Sequence, residues 1–338
     1  MLARMGLRVG LVYDLLGSRA RGASDPPDAD AEYEPEETIE TLEAALRRLG
    51  HQPLRLGNPH ALLAALGKGE LPGLDAALNV AEGYGSRNRE AFAPVLLELA
   101  GVPALGSDAL SLSLSLDKAW TRTLVAGAGV PVAAGAVVAS EAEAETVEIP
   151  GGFPLFVKPR WEGTAKGIGP TSRVADRPAL VRGVARILRD YRQPALVERF
   201  LPGPEYTVTV VGHAPARALP VLQRALEPET GIGVHVLARH PEPEGGWRAV
   251  APGVLTAELE RRLAERSLRA FAALDCRDFA RVDFKLDANG EPCFLEINPL
   301  PTFAPGGSFG ILAELLEKPL DALLADVFGQ ALSRLGLA

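Results

Sequence analysis

The stretch "FARVDFKLDANGEPCFLEINP", Phe279 to Pro299, decides the fold. Two apolar, β-rich runs flank Asn289-Gly290, the strongest short hairpin signal, because both central positions of a type I′ turn need positive φ. With those two residues as the loop, Asp283 lies opposite Glu296 and Arg281 opposite Asn298. On the other face Val282 meets Ile297, Phe284 meets Leu295 and Leu286 meets Cys293. One face is then core, and the other gathers two carboxylates, an amide and a guanidinium. Such a face reads either as half-solvated, with ion pairs worth about 0 to 1 kcal/mol each, or as an oxygen-ligand site for Mg2+, which prefers one or two carboxylates plus substrate phosphates. The apolar neighbours of Glu296 in "CFLEI" make solvation poor and tip the reading toward metal.

The surrounding chain has 338 residues, 47% apolar and 23% charged, enough for two or three domains each with its own core. Its longest uncharged run, Thr123 to Ser140, spans 18 residues but carries Gly127, Gly129, Pro131 and Gly135, which makes a poor membrane span. Asp14 interrupts the N-terminal apolar run and no small-residue cleavage site follows, which argues against a secretory signal. Cys276 and Cys293 are too few for a disulfide framework or a metal cluster and fit a reducing compartment, so the expected location is the cytoplasm. The net charge of -8 is local: nine acids and no base lie between Gly22 and Leu46, and the remainder sums to +1. Nothing in that balance suggests a nucleic-acid surface. The acidic segment from Asp25 to Glu43 reads as a solvated loop and helix start, the alternative being a site for a cationic substrate.

Strands "LRVGLVY", "QPLRL" and "LDAALNV" alternate with helical patterns and argue for a parallel, doubly wound sheet. "ALSLSLSLDKAW" is ambiguous, since the alternation of Leu110, Leu112, Leu114 and Leu116 has the period of a strand while Asp108 suits a helix cap. From about Pro131, "AAGAVVAS", "FPLFVKP" and "ALVERF" read as strands, with the amphipathic helix "RPALVRGVARILRDY" between the last two. "GPEYTVTVVG", the long helix "LTAELERRLAERSLRAFAALDC", the hairpin and the helix "LDALLADVFGQALSRLGL" complete the chain.

Two further segments carry chemistry. Lys158 ends an apolar strand, where an ammonium is costly unless it meets an anion. The loop "WEGTAKGIG" follows at once, and Gly163, Gly167 and Gly169 allow its backbone to close over phosphates while Thr164 and Lys166 add a hydroxyl and a charge. No GxxxxGK[ST] phosphate loop is present. In "LVERFLPGPEYTV", Glu198 and Glu205 flank Phe200 and Leu201, an arrangement that can offer edge backbone to a purine and a carboxylate to ribose hydroxyls. Each piece alone is equally readable as a connecting loop or a hinge.

The order "LDKAWTR", "FVKPRWEGTAKGI", "VERFLPGPEYTV", "ARVDFKLDANGEPCFLEINPLP" resembles the ATP-grasp superfamily and, within it, the D-alanine:D-alanine ligase family. The resemblance runs from about Asn79 to Phe303. It implies an α/β and α+β three-domain fold: an N-terminal doubly wound domain over residues 1–120, a small lid domain over 121–203, and a C-terminal catalytic domain over 204–338. It also implies that "ALSLSLSLDK" is helical and that the protein is a homodimer. Carried over position by position, Lys118, Phe156 and Lys158 belong to the ATP site, with Glu162 and Gly163 in the loop that closes over the phosphates. Glu198, Arg199, Phe200 and Leu201 surround adenine, and Glu205 meets the ribose. Asp283, Glu296 and Asn298 hold two Mg2+ ions, for which Mn2+ can substitute. Arg281, Thr164 and Lys166 are the implied catalytic residues.

The implied reaction joins a small-molecule carboxylate to an amine through an acyl phosphate. Four departures touch the amino-acid pocket and none touches ATP or metal. No Glu follows the first strand turn closely, Glu82-Gly83 replaces a His-Gly pair, a Glu-Ala-Lys-Tyr segment is absent, and Pro301-Thr302 stands where Pro-Gly is expected. The expectation is therefore a ligase acting on an amino acid or small peptide other than two D-alanines. The alternatives are a D-alanine:D-alanine ligase with an atypical pocket and an inactive ATP-binding regulator. Candidate pocket residues are Glu82, Arg87, Arg224, His235, Arg239 and Ser308.

Overall fold

The computed structural model describes residues 6–23, 25–227, 229–237 and 253–337. It begins with β1 (Arg8–Tyr13), α1 (Glu36–Arg48), β2 (Gln52–Gly57), α2 (Pro59–Lys68), β3 (Ala76–Val80), α3 (Phe92–Leu99) and β4 (Ala104–Leu105), whose strands form a parallel sheet in the order β2-β1-β3-β4. Both faces of that sheet are covered by helices, which is why β1 and β3 are near-continuous apolar runs rather than alternating ones. Helix α1 starts after Pro35, carries Glu36 and Glu37 in its first turn and Arg47 and Arg48 in its last, and so complements its own dipole at both ends.

Next come α4 (Ala109–Leu116) and α5 (Lys118–Gly127). The Leu-Ser alternation before Lys118 is helical, as the resemblance implies. Asp108 accepts the Ser111 N–H at 3.0 Å, and the buried stripe is Ser111, Leu112, Ser115 and Leu116, leaving Leu110 exposed. The serines on the stripe are tolerated because their hydroxyls bond backbone carbonyls: Ser115 Oγ donates to Leu112 at 3.0 Å, and Ser111 Oγ to Asp275 at 3.1 Å.

The middle of the chain supplies β5 (Gly135–Val138), α6 (Glu141–Thr146), β6 (Leu155–Pro159), β7 (Arg173–Val174), α7 (Arg177–Asp190) and β8 (Ala195–Arg199). Their antiparallel sheet, in the order β5-β8-β6-β7, buries one face against α6 and α7 through Leu155, Val157, Leu180, Val184, Ile187 and Val197. The strand period of two then turns Phe156 and Lys158 to the opposite face.

The third sheet contains β9 (Glu205–Gly212), β10 (Ala216–Ala218), β11 (Leu222–Leu226), β12 (Gly233–Leu237), β13 (Phe279–Leu286) and β14 (Pro292–Asn298), with α8 (Ala257–Ala273) on its core face. In the β13–β14 hairpin Gly290 has φ 78 and Asn289 is not in the positive region. The loop is a three-residue type I turn with a left-handed glycine, not the type I′ turn expected from Asn-Gly. Asp287 Oδ1 holds it by accepting the N–H groups of Asn289 and Glu291, both at 2.8 Å. Near the tip the partners are therefore one residue off the expected register: Phe284 faces Phe294, Lys285 faces Cys293 and Leu286 faces Pro292. A bulge at Leu295 takes up that residue, and beyond it Asp283 faces Glu296, Val282 faces Ile297 and Arg281 faces Asn298, as read from the sequence. Phe294 thus takes the core position expected of Leu295, edge-to-face with Phe284 at 6.1 Å, and Leu295 is re-aimed to the other side.

The chain closes with α9 (Ser308–Leu315) and α10 (Leu320–Arg334). Helix α10 packs along α1, and Phe279, Phe303, Phe309 and Phe328 form one aromatic cluster that fuses β13 and the last helices to the first sheet's core. No helix of the described residues is long and apolar enough to cross a membrane.

Candidate active site

Between the outer faces of the second and third sheets lies a cleft of about 820 Å³. Its apolar wall is built by Phe156 of β6, Phe200 and Leu201 after β8, Ile168 of the glycine-rich loop, and the bulged Leu295. The Phe156 and Phe200 rings are 6.3 Å apart, and the Arg173 guanidinium sits 4.5 Å from the Phe200 ring. The backbone at Arg199 and Leu201 borders the same space.

Buried charge lines the rest. Glu198 meets Lys158 Nζ at 2.6 Å and also pairs with Arg122. Burial, reinforced by the Lys118 and Arg122 cations, pushes the Lys158 ammonium down to about 7. Glu205 is flanked by Arg224 Nε at 3.1 Å and Lys285 Nζ at 3.5 Å, and burial raises its carboxyl above the usual range against those two cations.

At one end the hairpin presents Asp283 and Glu296 side by side. Asp283 accepts a hydrogen bond from Thr207 Oγ1 at 2.8 Å, and Arg281 Nη2 lies 3.1 Å from Asp283 and 3.5 Å from Glu296. Lys118 Nζ lies 3.3 Å from Glu296 and also donates to the Glu162 carbonyl. Burial opposes ionisation of Glu296, but Lys118, Arg281 and Lys158 outweigh it and hold the carboxyl at about 2. Asn298 Oδ1 accepts the Leu300 N–H at 2.8 Å, which fixes the amide two residues beyond Glu296. The donor set is all oxygen, two carboxylates and an amide, and among the described residues no three acidic, His or Cys side chains form a cage of their own. That fits Mg2+, which takes few carboxylates and completes its shell with phosphate and water.

A family model for the D-alanine:D-alanine ligase C-terminus matches residues 124–315. The chain is 34% identical to the D-alanine:D-alanine ligase of Gluconobacter oxydans, over 77% of this chain and 82% of that one. The chain belongs to the D-alanine:D-alanine ligase family. It is also 31% identical, over 81% of each chain, to the uncharacterized protein y4sG of Sinorhizobium fredii. Among solved structures it resembles the D-alanine:D-alanine ligase of Bacillus anthracis complexed with ATP (TM-score 0.70, 20% identity, 97% of this chain and 98% of that one). It likewise resembles the VanG D-Ala:D-Ser ligase of Enterococcus faecalis (TM-score 0.72, 19% identity, 97% and 100%). The fold is that of an ATP-grasp protein.

The other residues singled out in this D-alanine:D-alanine ligase family member are distributed as follows. Thr164 lines the nucleotide-sized cleft, and it and Ala165 hold left-handed backbone (φ 47 and 55), which costs strain in non-glycine residues. Lys166 is not among the residues lining that cleft: it is buried between Glu32 and Glu162, 2.5 Å from each. Glu162 and Gly163 border a smaller pocket that shares Glu296 with the cleft, as do Lys118, Asn298 and Glu82. Arg224 stands beside Glu205 and 3.8 Å from Asp283, inside the cleft. Arg87 is half exposed, pairing with Asp117 at 3.3 Å over the Trp161 ring, and Ser308 is buried at the first turn of α9. Arg239 and the side chain of His235 lie outside the described residues.

The acidic segment is not the solvated loop expected of it. Asp30, Glu32 and Glu34 are buried, while Glu36, Glu37 and Glu40 at the helix start are exposed. Glu32 accepts two bonds from Arg89 (2.8 and 2.9 Å) and the Gly163 N–H (2.8 Å). Asp28 accepts the Gly167 N–H and the Tyr191 hydroxyl, both at 2.9 Å. A Cβ at position 163 would lie 2.6 Å from Glu32 Oε1, so a side chain there would displace the Glu32 carboxylate. Sequence reading also missed Arg122 and Lys285. Both were accessible by period, since Arg122 is one helical turn beyond Lys118 and Lys285 shares the strand face of Arg281 and Asp283.

Proposed function

We propose that the protein is an ATP- and Mg2+-dependent ligase that joins a carboxylate to an amine through an acyl phosphate, with substrates other than two D-alanines. The facing pair Asp283 and Glu296, set between Lys118 and Arg281 at the end of a cleft walled by Phe156 and Phe200, carries this reading. ATP would place adenine between Phe200, Leu201 and Leu295, its ribose at Glu205, and its phosphates between Lys118, Lys158 and the loop from Glu162 to Ile168. Two Mg2+ ions would be held by Asp283, Glu296 and Asn298. When bound they neutralise phosphate charge and hold the transferring group in line.

A substrate carboxylate oxygen attacks the γ-phosphorus and ADP leaves. An amine nitrogen then attacks the acyl carbon, loses a proton, and phosphate departs. Arg281 faces the developing oxyanion in the second step. The glycine-rich loop, with Thr164 and Lys166, excludes water from the acyl phosphate. The replaced His-Gly pair at Glu82-Gly83 and the replaced Pro-Gly at Pro301-Thr302 support a rebuilt amino-acid pocket.

The test is phosphate release from ATP with all D- and L-amino acids and common dipeptides, followed by mass spectrometry of the products. A single preferred pair other than D-alanine is expected. Clear D-alanyl-D-alanine formation at millimolar D-alanine overturns the substrate part of the reading. ATP binding without phosphate release for any mixture overturns the ligase part.

A further inference from the structure

Next to the Asp283–Glu296 face, and sharing Glu296 with the large cleft, is a small pocket open to solvent. Glu32, Glu82, Glu90 and Glu162 line it together with Lys118 and Asn298. Two cations serve those four carboxylates. Lys166 is 2.5 Å from Glu32 and from Glu162, and Arg89 bonds Glu32 at 2.8 Å. Glu90 has Arg89 no nearer than 3.8 Å. Glu82 lines the pocket at 8% exposure; its backbone bonds Asp14, but its carboxylate has no hydrogen bond or ion pair among the described residues. A carboxylate more than nine-tenths buried and unpaired is costly unless something else brings the cation. Burial, with Glu90 and Glu32 adding repulsion, raises the Glu82 carboxyl well above its ordinary value, as expected of a site short of positive charge.

Building on the ligase reading, we infer that this pocket receives the ammonium groups of a diamino acid whose carboxylate faces Lys118 and the metal-binding face. Four carboxylates against two directly bonded cations leave Glu82 and Glu90 without a close counter-ion, so that without a ligand cation they favour the protonated form. A monoamino acid brings one ammonium, already balanced by its own carboxylate. A diamino acid brings two, one for Glu82 and one for Glu90, and keeps its carboxylate for the phosphoryl group. Lys118 eases Glu90 from a distance, but its ammonium and the Arg281 guanidinium pair directly with Glu296, so neither is a direct partner of Glu82 or Glu90.

Calorimetry on the full chain, saturated with Mg2+ and a non-hydrolysable ATP analogue, compares ornithine with norvaline and lysine with norleucine, each in both enantiomers. At least one diamino acid is expected to bind about tenfold more tightly than its monoamino counterpart. Glu82→Gln is expected to erase that preference while the ATP analogue binds within about twofold of wild type. Equal binding of both members of each pair, or an unchanged preference in Glu82→Gln, overturns the inference. Should Glu82→Gln fail to fold, Glu90→Gln serves in the same comparison. Phosphate release with the same panel separates the two readings. Ornithine or lysine binding without any release removes the ligase reading and leaves the pocket assignment. Release driven equally by monoamino acids overturns only the pocket assignment.

Discussion

Glu296 sits among Lys118, Arg281 and Lys158, cations that ATP phosphates would also seek, so its charge is set by the protein before any metal arrives. Its carboxyl lies at about 2 against an ordinary 4.5. It therefore contributes stability that is present above about pH 4.5 and is lost as pH falls toward 2. Glu296→Gln keeps the shape and removes the charge, and phosphate release is expected to fall by about a thousandfold or more with circular dichroism unchanged. Wild-type turnover from that variant would rule out the metal assignment. Glu90 shows the opposite sign. Burial, only partly opposed by Arg89, raises its carboxyl from 4.5 to about 7. The unfolded chain ionises first, so this group subtracts stability as pH rises from 4.5 to about 7 and no more above that. In the absence of substrate, Glu90→Gln should match wild type near the lower limit and gain up to about 3 kcal/mol by neutral pH in urea denaturation. A difference that does not grow across that window would show that Glu90 ionises normally.

At the scale of elements, the hairpin shows which features local sequence can and cannot specify. Facing carboxylates were legible because alternation assigns faces, and faces are robust to small errors of register. The turn type was not, since Asn-Gly supports both a two-residue loop and, with Asp287 holding it, a three-residue one. The error of one residue at the tip is cancelled at Leu295, so the site pairing came out right by two offsetting departures. Helix α4 makes a similar point. Its Leu-Ser alternation has the period of a strand, yet Asp108 caps it and the serines bond backbone carbonyls, so the helix wins. The roles of Asp28 and Glu32 were illegible because their partners are remote: Arg89 lies 57 residues from Glu32, and Tyr191 lies 163 residues from Asp28. The bulge also supports a prediction. With Leu295 deleted, Phe294 stays opposite Phe284 and Glu296 stays opposite Asp283, and the ladder becomes regular. The deletion variant is expected to fold and retain Mg2+-dependent activity while its KM for ATP rises about tenfold, the scale of one lost apolar side chain. Loss of folding would mean that the bulge, and not only its side chain, is needed.

At the scale of the molecule, all three sheets meet around Glu296. The second and third sheets enclose the large cleft, and the N-terminal layer lines the adjoining smaller pocket through Glu32, Glu82 and Glu90. The aromatic cluster around Phe303 makes that layer continuous with the hairpin's support, so the acidic wall and the Asp283–Glu296 face are anchored on one packed core. The glycine-rich loop belongs to the second sheet but is fastened to the first layer by Asp28 and Glu32. This attachment bears on timing. On the proposed reading, ADP would lie beneath the loop and would depart only after the loop let go of a segment more than a hundred residues earlier in the chain, and such opening steps often set the turnover of enzymes with closing loops. Tyr191→Phe removes one of those ties without emptying its position. It is expected to speed release of a fluorescent ADP analogue in stopped-flow about two- to fivefold. An unchanged off-rate would show that the loop opens while Asp28 stays bound. The acids of the N-terminal segment, which look from the sequence like a region apart from the chemistry, would then act as the clock of the catalytic cycle.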